Sequence, residues 1–417
     1  MRFVRASTET VPAHRTLLVW ILACACHALP CVAAAQDPAP EPADLARYRF
    51  GPIHFTPVLQ IRNIGVDTNV FNQAEEPEQD FTASIGPAAD YWVRLGRVRV
   101  HGKTSLDYNY FQEFKTQRSF GTENEVRAEL PLNRLQPFVH GMYVNTSRRP
   151  DFEIDVRTRH RTTRLGAGVD VRALSRTVFR LEGEESRLRF NEGTVFFGTN
   201  LADALDRRSR SYRVSVRHAL TPLTTFVVQT EQQEDRFDIS FDRNADSYRV
   251  LPGFELDPRA LIAGRAFVGY RSFTTLDPDV PDFDGVVALV EAEYTLRATK
   301  FGLAVQRDAW YSYELEEPFF IVTELTLQVT QKVTTNWDTV GRMSRQLLAY
   351  QQRQSAGGSE RTDTVWAFGG GVGRRVGRTA RIGINVDHLR RESPRAPARG
   401  YNGWRIGGSV TYGVQGS

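Results

Sequence analysis

Four aspartates in the stretch LDPDVPDFDG, residues 276–285, stand at Asp277, Asp279, Asp282 and Asp284 just ahead of Gly285. Carboxylate oxygens at close intervals are what a Ca²⁺ ion takes, so this segment is the candidate metal site. Its spacing is not that of an EF-hand loop, and two prolines interrupt it; a solvated turn is the plainer reading. His101 and Ser105, in RVRVHGKTSLDYNY (97–110), are a second pair with chemical potential. On a strand, however, residues four apart are separated by about 13 Å, too far for a base to take a hydroxyl proton. The glycine-rich AFGGGVGRRVG (367–377) lacks the Lys-Ser/Thr of a phosphate-binding loop, and its glycines read as relief of crowding in a strand. His54, His101, His140, His160, His218 and His388 form no metal-binding doublet. The three cysteines, Cys24, Cys26 and Cys31, all lie in the first 35 residues. No nucleophile–base constellation and no cofactor motif emerges, so the chain does not read as an enzyme.

The residues that remain are charges held on one face of alternating segments. The cations are Arg99, Lys103, Arg127, Arg164, Arg172, Arg213, Arg217, Arg265, Arg271, Arg297, Arg381 and Arg405, and the anions Asp107, Glu125, Glu129, Asp170, Glu291, Glu293 and Asp387. This is a mild positive bias, suited either to an anion-favouring passage or to pairing with cross-strand neighbours that stiffens a wall. Only four of the 53 basic residues are lysines. There is no basic stripe or basic-aromatic motif, so nucleic acid is not an expected partner.

What positions these charges is a period of two. In 97–110, Val98, Val100, Gly102, Thr104, Leu106, Tyr108 and Tyr110 alternate with Arg99, His101, Lys103, Ser105, Asp107 and Asn109. Successive side chains leave a strand on opposite faces, so this is a strand with one apolar and one charged face. Eighteen such stretches follow one another from about residue 54 to 414. In nearly all of them only one face is apolar, with partial exceptions near 261–270 and 318–329. A soluble protein of this length needs strands that are apolar on both faces to build its core. The connections alternate as well, short at LSR (174–176) or LTP (220–222), long and polar at 148–159 or 191–206. The expected fold is therefore all-β: a transmembrane, antiparallel, up-and-down β-barrel of about 18 strands (16–18), with short periplasmic turns and longer extracellular loops. Its apolar face would meet outer-membrane lipid and its charged face the lumen. The mean hydropathy of −0.39 fits strands that are only half apolar.

Residues 1–35 read as a secretory signal peptide, with Arg2, Arg5 and Arg15, the apolar run TLLVWILACACHAL, and small residues suiting cleavage after Ala35. Residues 36–52 read as a Pro-rich periplasmic leader, and 53–417 as the barrel.

Residues 57–100 carry a further pattern. A strand ends in Asp67, Asn69, Val70 and Phe71, and a polar loop leads to a strand with Asp80, Phe81 and Pro87. This opening resembles that of the putative beta-barrel porin-2 family of Gram-negative bacteria, with Thr68 interrupting the Asp-Asn pair. The resemblance implies the outer membrane of a Gram-negative bacterium and a link to exopolysaccharide production or export. The expected function is a porin-like channel for small solutes or for exopolysaccharide, with periplasmic secretion components as candidate partners. The alternative is a non-conducting structural or assembly-associated barrel. One departure is the end of the chain, SVTYGVQGS, which places Tyr412 five residues before the terminus instead of a terminal aromatic.

Overall fold

The computed structural model describes residues 46–357 and 360–413; the expected signal segment, leader residues 36–45 and Val414 lie outside them. Eighteen long strands dominate the described residues. The first nine are β1 (Ile53–Asp67), β2 (Asp80–Leu95), β3 (Val98–Phe111), β4 (Ser119–Glu129), β5 (Leu135–Thr146), β6 (His160–Leu174), β7 (Thr177–Phe190), β8 (Arg207–Thr221) and β9 (Thr224–Phe237). The second nine are β10 (Ala245–Leu256), β11 (Ile262–Thr275), β12 (Phe283–Leu296), β13 (Thr299–Tyr311), β14 (Phe319–Lys332), β15 (Trp337–Gln351), β16 (Thr362–Val376), β17 (Ala380–Glu392) and β18 (Tyr401–Tyr412). Each pairs antiparallel with the next, and β18 returns to β1 from Leu59↔Tyr412 to Asp67↔Arg405, which closes the sheet. The leader does not stay apart from the barrel, because Tyr48–Phe50 pairs with the start of β1.

One end of the barrel has tight turns, such as residues 96–97, 175–176, 222–223 and 297–298; the other carries loops as long as 147–159 and 191–206. The faces are inverted relative to a soluble sheet. On β3, Leu106 and Tyr108 are 36% and 39% exposed, while Asp107 between them is 6% exposed. Leu165, Leu181, Val268, Ile384 and Ile406 likewise stand exposed on the outer face. Only an apolar solvent makes that arrangement favourable. In β1 one extra residue at Asn63 (φ 55°) breaks the alternation, so Leu59 before it and Ile64 and Val66 after it all remain outside.

The wall departs from a cylinder at its loop end. β12 and β13 stay paired only to Ala288↔Arg307, whereas β13 and β14 stay paired to Tyr311↔Phe319. Freed along one edge, the tip of the β13–β14 hairpin leans inwards. Phe319 and Ile321 continue the outward row of Leu325 and Leu327, yet they pack against Ala245 and Phe273, whose rows face in. Phe320 and Val322, on the opposite face, pack against Leu348, Tyr350 and Val365. Within the stretch near 318–329 that is apolar on both faces, residues 319–322 are thus buried on both faces, while Leu325, Leu327 and Val329 stay exposed on the outer face. Ile154, Phe190, Phe196, Leu201, Leu205 and Tyr313 form a further cluster that ties loops 147–159, 191–206 and 312–318 together. α1 (Leu201–Leu205) starts behind Asn200, whose side chain accepts from the Ala202 amide. An 18-stranded barrel would otherwise leave a wide aqueous lumen; here its loop end is filled.

Candidate functional site

Alternation along eighteen strands sends one charged row after another into the barrel, and the structure shows what they do there. One long run of contacts crosses the wall from β7 to β13. Arg213 bridges Glu182 (3.2 Å) and Glu231 (2.7 Å). Arg249 joins Glu231 to Asp308 (3.3 Å), and Arg271 reaches the same Asp308 at 2.6 Å. Beside this run lies a cavity of about 520 Å³, lined among others by Arg164, Glu184, Arg207, Gln233, Trp310 and Tyr311.

The other sequence-derived positions are also mostly paired. Arg405 meets Asp67 at 2.9 Å, Arg265 meets Glu291 at 2.8 Å, Arg217 meets Glu255 at 3.1 Å, and Arg381 meets Asp338 at 3.0 Å. Asp107 receives Arg148 at 2.5 Å, Asp170 receives Arg180 at 2.6 Å, and Glu293 receives Lys300 at 2.7 Å. Arg127 lies 3.6 Å from Glu129 and 3.7 Å from the Phe138 ring centre, and Lys103 lies 4.0 Å from Asp90. Arg99 is in register with Glu129, and Arg172 sits near the short-turn end of β6. Arg297 differs: it occupies the exposed two-residue turn between β12 and β13 with φ 55°, because β12 ends at Leu296. The charges on this face pair and stiffen the wall far more than they stand free.

Glycines decide which charges can meet. Arg342 on β15 and Asp387 on β17 are two strands apart, yet they pair at 3.1 Å across Gly369, where a Cβ would stand 2.2 Å from the Asp387 carboxylate. Arg381 and Asp338 span Gly373 in the same manner. The glycine-rich 367–377 stretch therefore clears a path for ion pairs over β16. Gly166 and Gly168 on β6 have the same effect between β5 and β7, and bring His140 within 3.3 Å of Glu182 and 3.9 Å of Glu184. The three form a potential cation-ligating group that chain spacing did not reveal, because its members come from strands two apart.

The aspartates of 276–285 do not converge. Asp277 accepts from the Asp279 amide (2.9 Å), and Asp282 accepts from the Thr275 amide (2.8 Å). Asp279 is engaged by the Ser355 amide (2.8 Å) and hydroxyl (2.7 Å), which hold its carboxyl below the usual range. Asp284 lies within β12 on the outer face. These carboxylates shape loops and anchor residues 353–355 instead of forming a calcium cage.

The Asp67–Phe71 motif locks the seam. Asp67 accepts from the Asn69 amide (3.1 Å) and pairs with Arg405 on β18. The Asn69 side chain donates to the carbonyls of Gln73 (2.9 Å) and Asn402 (3.1 Å). Val70 is fully buried, and its carbonyl accepts from Arg149 and Arg157 at 2.9 and 2.7 Å. Phe71 meets Phe114 edge to face at 4.8 Å. Burial, with the Arg149 and Arg405 guanidiniums nearby, lowers the Arg157 pKa to about 9.

Sequence reading missed the charge network under the loops. Arg391 on β17 is fully buried and donates to Asp155 (2.9 Å), Asp363 (2.7 Å), the Tyr350 hydroxyl (3.2 Å) and the carbonyls of Phe152 and Glu153 (3.2 and 3.1 Å). Arg361 grips Asp363 and Glu317, both at 2.9 Å. Arg399 joins Tyr313 and Glu314 to the Glu153 carbonyl. The Glu153 carboxylate accepts from the Ser312 hydroxyl (2.6 Å) and the Tyr313 amide (3.2 Å). Burial, with Asp151 beside it, raises its pKa to about 8.

The profile of the family described as Putative beta-barrel porin 2 matches residues 48–413. Among solved structures, a BenF-like porin from Pseudomonas fluorescens Pf-5 is 11% identical, with 87% of this chain and 98% of that chain covered and a TM-score of 0.46. OccAB3 of Acinetobacter baumannii is 10% identical over 86% and 98%, with a TM-score of 0.48. The outer-membrane protein OpdK of Pseudomonas aeruginosa is 11% identical over 86% and 97%, with a TM-score of 0.45. No curated protein matches the sequence.

Proposed function

The chain belongs to the Putative beta-barrel porin 2 family, and from that premise we propose that it is a gated channel for small, preferentially anionic solutes in the outer membrane of a Gram-negative bacterium. The short-turn end faces the periplasm and the loop end the exterior, consistent with residues 1–35 acting as an export signal. The observation that carries the proposal is the cavity of about 520 Å³ directly beneath a filled loop end. The chamber is lined by five arginines and five carboxylates, which suits a small polar solute, and the anion preference rests on the excess of cations along the inward strand rows. An extended exopolysaccharide would have to displace the inward hairpin and the loops along its whole path, so small solutes are favoured.

The Arg391 network favours a second reading, a barrel that stays shut and serves as structure or assembly scaffold. Single-channel recording in planar bilayers separates the two. Stepwise conductance with anion selectivity supports the gated channel, and a folded, inserted, silent barrel refutes it. Equal permeability to anions and cations removes the selectivity alone.

A further inference from the structure

On the outer face near the loop end, three arginines stand side by side on three adjacent strands. Arg187 on β7 is directly opposite Arg208 on β8, and Arg208 is directly opposite Arg236 on β9. Like charges in direct cross-strand register repel, and an anion seated among them relieves that cost. One row further out, Arg161 on β6 faces Arg189 on β7. Carboxylates neutralise these only in part. Arg208 lies 3.5 Å from Glu185, and Glu185 also serves Arg210 at 3.1 Å. Arg236 pairs with Asp246 at 2.6 Å, while Arg187 is in no ion pair among the described residues.

The depth of this row is fixed by what lies below it. Tyr212 on β8 and Tyr248 on β10 are 58% and 42% exposed on the same outer face and share one register row through Gln232, a stretch of aromatic girdle that the strand tilt spreads over about 6 Å of depth. Nine residues separate Tyr212 from Thr221 at the short-turn end of β8. At ~3.3 Å per residue and a tilt of ~40° this spans about 23 Å, close to the ~25 Å apolar band of an outer-membrane barrel. Arg208, four residues on the other side of Tyr212, stands about 10 Å above the girdle by the same arithmetic, and its long side chain can reach downwards. The arginines thus lie at headgroup level, facing away from the lumen.

We propose that the Arg187–Arg208–Arg236 row binds the phosphate groups of a phosphorylated glycolipid in the outer leaflet. The inference rests on the outer-membrane reading with the loop end outside. A guanidinium is planar and always charged, and it takes a phosphate through two parallel N–H···O bonds. A phosphate seated between neighbouring arginines turns their mutual repulsion into shared attraction. Glu185 and Asp246, each already paired, keep flanking arginines extended along the row.

The test uses the purified full chain in nanodiscs doped with a bisphosphorylated glucosamine-disaccharide lipid, its monophosphorylated form or its dephosphorylated form. The wild type should retain the bisphosphorylated lipid best, with retention falling as salt rises. The combined variant Arg187→Gln, Arg208→Gln and Arg236→Gln should weaken retention by about tenfold or more, since each lost arginine removes charge-assisted hydrogen bonds. The lumen variant Arg164→Gln should leave it unchanged. Equal retention of all three lipids, or by both variants, overturns the proposal. Competition by millimolar inorganic phosphate in detergent, without preference for the lipid, overturns the glycolipid assignment in favour of free phosphate. Gel mobility with and without heating reports whether each variant folds. Failure of the wild type to insert into bilayers at all refutes the outer-membrane reading, a result distinct from insertion without lipid discrimination.

Discussion

Replacing Arg391 by Met removes the most deeply buried of the side chains that tie loop 147–159 to the barrel wall, alongside the Arg148–Asp107 and Arg157–Asp67 pairs. Its guanidinium holds Asp155 on the loop and Asp363 on β16, and it takes the Phe152 and Glu153 carbonyls as well. The Arg391 side chain is fully buried, and the variant leaves Asp155 with only Arg399, 3.8 Å away, as a counter-charge, while Asp363 keeps Arg361 at 2.9 Å. Breaking one partner of a buried pair costs about 3–5 kcal/mol. The backbone ladder of β17 is untouched, so most of this cost falls on loop closure. At ~1.4 kcal/mol per decade, the ratio of open to closed loop should rise between about a hundredfold and a few thousandfold. The assay is single-channel recording in planar bilayers, where the wild type should be shut most of the time and Arg391→Met should show long openings. Arg391→Lys, which keeps the charge but cannot span both carboxylates, should fall between them. Unchanged dwell times in a variant that still shows heat-modifiable mobility would refute the reasoning, because the loop would then be held without Arg391.

Three further outcomes are expected. The Glu153 pKa, about 8 against an ordinary 4.5, means that the closed loops hold a proton the opened loops release; closure is strongest below about pH 4.5 and weakens as pH rises towards 8. Loop protection measured by hydrogen exchange should follow that window, and Glu153→Gln should flatten it; the same slope in the variant assigns it to another group. Val268→Arg, in mid-strand on the outer face of β11, should cost about 2–4 kcal/mol of folding into lipid vesicles, against little for Arg265→Gln on the inner face. Equal costs would mean the faces are assigned the wrong way round. Asp67→Ala leaves Arg157 and Arg405 facing each other at the seam and should lower the urea midpoint by the equivalent of about 3 kcal/mol, with the β1–β18 amides losing exchange protection first.

The strands were legible because a two-sided environment writes itself into every second residue. Eighteen alternating stretches between about 54 and 414 correspond to eighteen long strands between Ile53 and Tyr412, and the short and long connections fall at opposite ends. The loop-end filling was not legible as such. Phe319–Val322 did stand out as apolar on both faces, but nothing local says that a hairpin leaves its neighbour above Ala288↔Arg307. Arg391 and Asp155 are 236 residues apart, and Asp155 lies in a loop without periodicity. The His140–Glu182–Glu184 group depends on two glycines in the strand between, and counting along the chain does not register it. Arg297 was misread because its row parity is inward while a turn had already begun.

The seam sets an order of events. Asp67 and Arg405 are 338 residues apart, and Asn69 reaches Asn402 across nearly the same interval. Loop closure over such a distance carries a large entropic cost, and here it is met only when the last strand arrives. A truncated or stalled chain therefore presents the first loop unfastened, with Arg149 and Arg157 deprived of the Val70 carbonyl in its native place. The motif at residues 67–71 works as a latch that engages only a finished barrel, so completeness of the molecule is read out at its first strand.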